Sequence, residues 1–206
     1  MARSAKASNR PPRSAVLTLE NRQGLHSDCP SIAFWGANLE AWEGQSVEVV
    51  ATASGVVYDC GFTPFDSFEL DQLNPEYGQM AWNVEESGLL FEGYANPLFI
   101  IDLVVAPEWR GHNIGPHLLV WMAIALGSVS SVFLVPTPLP TRLADYGGWV
   151  SDWEAPRRGS GAMRKVRQAY RRGGFTHFRR GTWWTPIGTY EEEMASIRQV
   201  LSFWDK

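Results

Sequence analysis

The sequence predicts a mixed α/β fold, in which β-strands and helices alternate along one chain. Runs rich in β-branched residues, such as SVEVVATASGVVYDCGF at 46–62, lie between turns that contain glycine and proline. The nearly continuous apolar segment PLFIIDLVV at 97–105 is typical of a central strand that is covered on both faces. Other segments carry apolar residues at helical spacing, which predicts the helices that cover such a strand.

The first half of the chain is predicted to contain strands and three helices. SAVLTLE at 14–20 indicates a first strand. SIAFWGANLEAW at 31–42 has apolar residues at helical spacing after a serine N-cap candidate, which predicts a helix. The segment 46–62 fits a hairpin or one long bulged strand. Residues 67–87 indicate two short helices that are broken near Pro75.

The second half begins with the central strand at 97–105. A helix at about 114–126 follows, and its apolar residues surround most of its circumference, so we expect it to be buried. SSVFLV at 130–135 is predicted as another interior strand. The segment 136–161 is irregular and rich in proline and glycine, and loops of this length are usually functional or disordered.

The C-terminal part is predicted to hold two amphipathic helices and a hairpin between them. AMRKVRQAYRR at 162–172 places apolar residues on one face and arginines on the other, and a glycine pair ends this helix. FTHF and TWWTPI flank Arg180 and Gly181 as the two arms of a hairpin. The helix at 189–204 begins with a T-x-x-E capping box and carries an apolar stripe.

Length and composition favour one globular domain with no membrane span. The chain has 206 residues, and no apolar run reaches the length of about 18 residues that a span needs. Cys29 and Cys60 form neither a disulfide framework nor a metal site, so we expect two buried thiols and no metal. No apolar segment follows the basic start of the chain, which predicts a disordered tail at 1–13 and a cytoplasmic location. We divide the rest into one domain, 14–188, and a C-terminal helical segment, 189–206.

The charges are distributed unevenly along the chain. Between residues 20 and 108 there are fifteen acidic residues and one basic residue, whereas 157–180 contains nine basic residues and no acidic one. The acidic part is a solvated surface or a site for a cationic ligand. The basic part fits a nucleic-acid patch or the seat of a small polyanion, and charge alone does not decide between them.

The turn after the central strand has the features of an anion site. Pro107 ends the ladder because it has no N–H group, and glycines at 111 and 115 let the backbone approach a ligand closely. Free amides at 111–116 at a helix start, with Arg110 beside them, favour a bound pyrophosphate. The turn contains neither a Walker phosphate loop nor a G-x-G-x-x-G dinucleotide motif.

The segment LVVAPEWRGHNIGPHLL at 103–119 resembles the acetyl-CoA-binding motif of the GNAT superfamily of N-acetyltransferases. The matching positions include the motif arginine, Arg110, and its last glycine, Gly115. Asn113 stands where the family usually has glycine, and asparagine is the next best residue for a positive φ. AYRRGGF at 169–175 resembles a second family motif, which places a tyrosine, Tyr170, four residues before a glycine. The resemblance extends over about 97–187.

The resemblance implies a GNAT-like fold, a central mixed sheet with splayed strands flanked by helices, in which 136–161 is an insertion. It implies that pantetheine pairs with the main chain of the central strand and that the helix start takes the pyrophosphate of acetyl-CoA. The cofactor-binding residues that it implies here are Leu103, Val104, Val105, Arg110, Gly111, His112, Asn113, Ile114, Gly115 and Pro116.

For chemistry, the resemblance implies direct attack of an amine on the thioester. Tyr170 matches the family's general acid, and the alternative is a packed aromatic residue. Asp102 is the only carboxylate in an otherwise apolar run, which makes it a candidate general base. Alternatively it is a structural aspartate that is hydrogen-bonded to a neighbouring loop, and Glu69 and Asp66 are further candidates.

The acceptor is the least determined part of this prediction. The acidic half of the chain suits a cationic amine, such as an aminoglycoside-like compound, a polyamine or a lysine side chain. Trp149 and Trp153 in the long loop form a lid or simply pack on the domain. Two alternatives stay open: an RNA-binding or RNA-modifying protein, and a degenerate acyl-CoA-binding interaction module. The C-terminal helix mediates a homodimer or covers the sheet.

Overall fold

The computed structural model describes residues 14–21, 30–61, 64–89, 96–136 and 161–201. Several predictions lie outside these ranges: the disordered tail at 1–13, the thiol of Cys29, and the long loop with its two tryptophans. None of the helices within the described ranges is long and apolar enough to cross a membrane.

The described residues form a seven-stranded mixed sheet with helices on both faces, as expected for a mixed α/β fold. The strand order is β1-β2-β3-β4-β5-β7-β6, and β4 and β5 are parallel while the other neighbouring strands are antiparallel. The strands are β1 (Ser14–Asn21), β2 (Ile32–Glu43), β3 (Ser46–Tyr58), β4 (Asn96–Val105), β5 (Val129–Leu134), β6 (Thr176–Arg179) and β7 (Thr182–Pro186).

The prediction of a helix at 31–42 is wrong, because this segment is strand β2. Its side chains alternate between two faces: Ala37, Leu39 and Ala41 join the core on one side, while Ile32 joins the core on the other. β2 pairs along its whole length with β3 and over eight residues with β1. Two long neighbouring strands therefore override a spacing that also fitted a helix.

The segment 46–62 forms one long bulged strand rather than a hairpin. β3 is thirteen residues long and pairs with β2 on one edge and β4 on the other. The β3–β4 register shifts between Ser54 and Gly55, since Ser54 lies opposite Asp102 but Gly55 lies opposite Ile100. Ile101 is therefore the extra residue of a β-bulge in β4.

Two short helices, α1 (Ser67–Leu73) and α2 (Pro75–Glu85), cover one face of the sheet, and the predicted break near Pro75 is confirmed. Asp66 caps α1 by accepting from the Phe68 N–H (2.8 Å), and Asn74 caps α2. Their buried side chains join a core with Val56, Phe99 and other residues of the sheet. Cys60 borders this core, and burial, followed by the nearby Asp59 carboxylate, raises the pKa of its thiol to about 11.

Helices α3 (Ile114–Leu126), α4 (Gly161–Arg172) and α5 (Tyr190–Leu201) accompany the larger core on the opposite face. α3 is buried along much of its length, as its composition predicts. The capping box of α5 forms, with Thr189 Oγ1 donating to Glu192 (2.9 Å). Ile197 of α5 is 1% exposed within this core, so the apolar stripe of α5 packs against the core of the same chain.

The hairpin between β6 and β7 turns where the sequence predicts. Arg180 and Gly181 both have positive φ, 45° and 92°. Turns with two positive φ values match the twist of the flanking strands. Arg179 and Arg180 form ion pairs with Glu86 at the end of α2, at 2.9 and 3.7 Å, which ties this edge of the sheet to the α1–α2 face.

Candidate functional site

The central strand β4 parts from its parallel neighbour midway along its length. β4 pairs with β5 only from Asn96 to Ile100, and Ile100 lies opposite Leu134, the last residue of β5. Among the described residues, β4 pairs only with β3 from Asp102 to Val105. Within this part of the chain, one edge of the segment is therefore open, and residues 103–105 are not laddered on both sides.

The open edge presents backbone hydrogen-bonding groups. The Ala106 N–H donates to Val50 O of β3 at 2.9 Å. In an antiparallel ladder alternate residues bond to the partner strand, so Leu103 and Val105 direct their N–H and C=O groups to the open edge. Arg110 Nε already donates to Val105 O at 2.9 Å. Both groups of Leu103 and the N–H of Val105 have no partner within the described ranges and are left for a ligand.

The turn that follows β4 has the conformation that an anion site needs. Asn113 is the N-cap of α3 with φ 65°, so asparagine adopts the left-handed conformation here, as expected. The N–H groups of Asn113, Ile114 and Gly115 precede the first intrahelical hydrogen bond of α3. Pro116 has no N–H group, so the run of amides predicted for 111–116 ends at Gly115.

Two glycines let the elements around this turn pack closely. A Cβ on Gly115 would lie 3.1 Å from Leu103 Cδ2 and 3.3 Å from Val105 Cγ2, so this glycine seats α3 against β4. A Cβ on Gly173 would lie 2.2 Å from Pro116 Cβ, so the end of α4 touches the start of α3. By contrast, a Cβ on Gly111 would meet open space.

A cavity of about 550 Å³ lies between the open edge of β4, the start of α3 and one face of α4. Arg110, Lys165 and Arg172 contribute three cations to its wall, and none of the described residues that line it is acidic. The lining residues are Leu103, Val104, Val105, Trp109, Arg110, Gly111, Asn113, Ile114, Gly115, Pro116, Lys165, Val166, Gln168, Ala169, Tyr170 and Arg172. The sequence predicts ten cofactor-binding residues and two principal catalytic residues, Tyr170 and Asp102. Ten of these twelve residues line the cavity.

Tyr170 lies on the α4 wall of the cavity. It is 8% exposed and packs edge-on against Phe175, with ring centroids 5.4 Å apart. Its hydroxyl makes no hydrogen bond to the described residues. Burial raises the pKa of this hydroxyl, which therefore keeps its proton at neutral pH. The arrangement gives the cavity a neutral proton donor with no protein acceptor in the described part.

His112 and Asp102 are the two singled-out residues that do not line the cavity. His112 is exposed on the turn. Asp102 alternates with Leu103, whose side chain packs on α3, and therefore points to the opposite face of the sheet. There its Oδ2 accepts from Ser54 Oγ at 3.1 Å, so its partner is a neighbouring strand rather than a loop.

The two further carboxylates proposed from the sequence have partners on the α1–α2 face. Asp66 is the N-cap of α1, and Glu69 accepts from Ser31 Oγ at 3.1 Å. Neither residue lines the cavity.

Some cations of the basic stretch 157–180 contact aromatic rings of the same chain, and others line the cavity. Arg171 lies over the Trp183 ring, 5.5 Å from its centroid, and Arg180 lies over Trp82 at 4.5 Å. Lys165 and Arg172 instead face the cavity, and sequence reasoning did not single them out individually. Their spacing of seven, with Tyr170 between them, is the signal for a shared helix face.

Comparisons of this chain with protein-family models, with curated proteins and with solved structures found no significant match. The interpretation of the cavity therefore depends on its own geometry and charge.

Replacing Gly173 by alanine tests the close contact between the end of α4 and the start of α3 beside the cavity. The added Cβ would overlap Pro116, so we expect Gly173→Ala to lower stability by about 1–3 kcal/mol. Gly161→Ala, at the exposed start of α4 where a Cβ meets nothing within 4 Å, is the matched control. Thermal unfolding of both variants checks this, and equal melting temperatures would contradict the close contact of α3 and α4.

Proposed function

We propose that this chain is an acetyl-CoA-dependent N-acetyltransferase of the GNAT type. The observation that carries the proposal is the shared position of three features around one cavity: the open edge of β4, the free amides at the start of α3, and Tyr170. The resemblance of residues 97–187 to GNAT motifs is consistent with this arrangement.

The cavity fits the chemical groups of acetyl-CoA one by one. The N–H and C=O of Leu103 would pair with the amides of pantetheine, as one more strand pairs with a sheet edge. The amides of Asn113, Ile114 and Gly115, at the positive end of the α3 dipole, would bind the diphosphate. The three cations on the wall match a ligand with several negative charges.

The transfer requires one bond to form and one to break. Acetyl-CoA supplies the activated acetyl group. The amine nitrogen bonds to the carbonyl carbon, the carbon–sulfur bond breaks, and Tyr170 gives its proton to the departing sulfur. The N–H of Val105 on the open edge would stabilise the oxyanion. The nitrogen loses its excess protons to a base and to solvent, from which Tyr170 is reprotonated.

A small polyanion explains the basic helix better than a nucleic acid does. Lys165 and Arg172 face a concave cavity together with Arg110. Arg171, Arg179 and Arg180 are engaged with tryptophan rings or with a carboxylate of the same chain. A cytoplasmic location for this activity stays a prediction.

Calorimetric titration of the chain with acetyl-CoA tests the proposal. Loss of a charge-assisted hydrogen bond costs about 1.5–3 kcal/mol, so we expect Lys165→Met and Arg172→Met each to weaken binding by roughly ten- to a hundred-fold. Arg164→Met changes an exposed cation on the same helix that does not line the cavity, and it should bind like the parent chain.

The affinity for acetyl-CoA should also fall as the salt concentration rises. This fall should be much smaller in the double variant Lys165→Met/Arg172→Met, which lacks two of the cations. Two results would overturn the proposal. One is the lack of any heat of binding with acetyl-CoA, and the other is equal affinity for Lys165→Met, Arg172→Met and Arg164→Met.

A further inference from the structure

His117 lies one turn into α3, and its two ring nitrogens contact two different elements. Nδ1 lies 2.9 Å from the backbone oxygen of Asn113, and Nε2 lies 3.2 Å from Ser196 Oγ of α5. A carbonyl oxygen only accepts hydrogen bonds, so Nδ1 carries a proton and donates it to Asn113. In this tautomer of the neutral ring, Nε2 accepts from the Ser196 hydroxyl. The ring therefore bridges the N-cap of α3 and the C-terminal helix α5.

The bond to Asn113 fixes the peptide group that joins Asn113 to Ile114. The C=O of Asn113 and the N–H of Ile114 belong to one planar trans peptide group, so they point in opposite directions. Because the C=O points along α3 to the His117 ring, the N–H of Ile114 points out of the helix start, where the cavity lies. A hydrogen bond to the C=O also polarises this peptide group and strengthens its N–H as a donor.

The turn at Asn113 needs such support. Asn113 has φ 65° and ψ 18°, a left-handed conformation that is less favourable for a residue with a Cβ than for glycine. Its own side chain makes no capping hydrogen bond within the described part of the chain. Among the described residues, the ring of His117 is the side chain that holds the Asn113 carbonyl. The direction of the Ile114 N–H therefore depends on where this ring lies.

Helix α5 holds the ring from its other side. Ile197, the residue after Ser196, is 1% exposed in the core that it shares with α3. This buried anchor restricts the position of the Ser196 hydroxyl. α5 lies outside residues 97–187, the part of the chain that resembles GNAT motifs, so the resemblance gives this helix no role.

We propose that His117 is a positioning residue for the diphosphate of the cofactor, and that α5, through Ser196, is part of the cofactor site. The proposal depends on the acetyltransferase function proposed above and deepens it. His117 is not among the described residues that line the cavity. It acts through the Asn113–Ile114 peptide group, whose N–H binds the diphosphate.

The experiment compares two ligands, acetyl-CoA and S-acetyl-pantetheine, which has the thioester and the pantetheine amides but no phosphate. Calorimetry measures the Kd of acetyl-CoA, and NMR titration of the backbone amides measures that of the smaller ligand. His117→Phe keeps a ring and removes both nitrogens. We expect it to weaken acetyl-CoA about ten-fold, as for the loss of one hydrogen bond, and to leave the affinity for S-acetyl-pantetheine unchanged.

Further variants test each half of the bridge. An asparagine amide reaches about as far from the backbone as Nδ1 does, so His117→Asn should recover most of the affinity for acetyl-CoA. Ser196→Ala should weaken acetyl-CoA by a smaller factor than His117→Phe, and Ser196→Thr, which keeps the hydroxyl, should bind like the parent chain. His177→Phe changes an exposed histidine of β6 that does not line the cavity, and it serves as the control. Thermal unfolding gives a temperature at which every variant is folded.

The two proposals fail in different ways. If acetyl-CoA does not bind the parent chain, the transferase function is overturned, and the role of His117 with it. If acetyl-CoA binds but His117→Phe and Ser196→Ala keep the parent Kd, the role of His117 is overturned while the cofactor site stands. Equal weakening of both ligands in His117→Phe has the same meaning, because the effect would then not be directed at the diphosphate.

Discussion

Tyr170→Phe is expected to lower kcat for acetyl transfer by about 10²–10⁴-fold, the usual contribution of a general acid. The affinity for acetyl-CoA should change little, because phenylalanine keeps the ring contact with Phe175. Rapid-mixing measurements of thiol release, combined with calorimetry, separate these two effects. An equal loss of affinity and of kcat would instead indicate that Tyr170 only shapes the cavity.

The pH dependence follows from the raised pKa of Tyr170. A tyrosine is normally half ionised near pH 10, and burial moves this transition to higher pH. The protonated, active form therefore persists through pH 10, and kcat should not fall between about pH 8 and pH 10 through ionisation of this group. By the same linkage, its contribution to stability is present below pH 10 and is lost only above that value.

Tyr58→Phe is the matched control for this prediction. Tyr58 is a buried tyrosine as well, but it lies in the core of the α1–α2 face and donates to Pro64 O at 3.0 Å. Its loss should cost about 1 kcal/mol of stability without a change in kcat. A similar fall in kcat for both variants would show that the effect of Tyr170→Phe comes from lost stability rather than lost proton transfer.

Local signals in the sequence were sufficient for most elements of the fold. The boundaries of α3 coincide with the predicted 114–126, and the break at Pro75 is set by one residue. The prediction of a helix at 31–42 was wrong because the apolar spacing of this segment suits a helix as well as a strand. The segment is a strand because it pairs with β1 on one side and β3 on the other. The spacing of apolar residues within the segment does not indicate such long-range pairing.

Some parts of the candidate site could also be predicted from local sequence, and others depend on contacts between distant segments. The turn at 110–115 is contiguous in sequence, so its free amides and the positive φ of Asn113 could be predicted from residue types. The cavity face of α4 could be found only once the helix was placed against α3, through the contact of Gly173 with Pro116. The direction of Asp102 depends on the bulge at Ile101, and no pattern within β4 alone indicates that extra residue.

Gly55→Ala is expected to destabilise the fold strongly, because the backbone of β4 lies directly against this residue. An added Cβ would lie 2.4 Å from Phe99 O and 2.9 Å from Ile100 Cδ1. The backbone oxygen cannot move without shifting β4, so we expect a loss of at least about 1–3 kcal/mol, or roughly 2–12 °C in melting temperature. Calorimetric unfolding measures this, with Gly161→Ala as the unstrained glycine-to-alanine control. Equal melting temperatures for Gly55→Ala and Gly161→Ala would contradict this prediction, because the close approach of Phe99 O leaves no room for a side chain at Gly55.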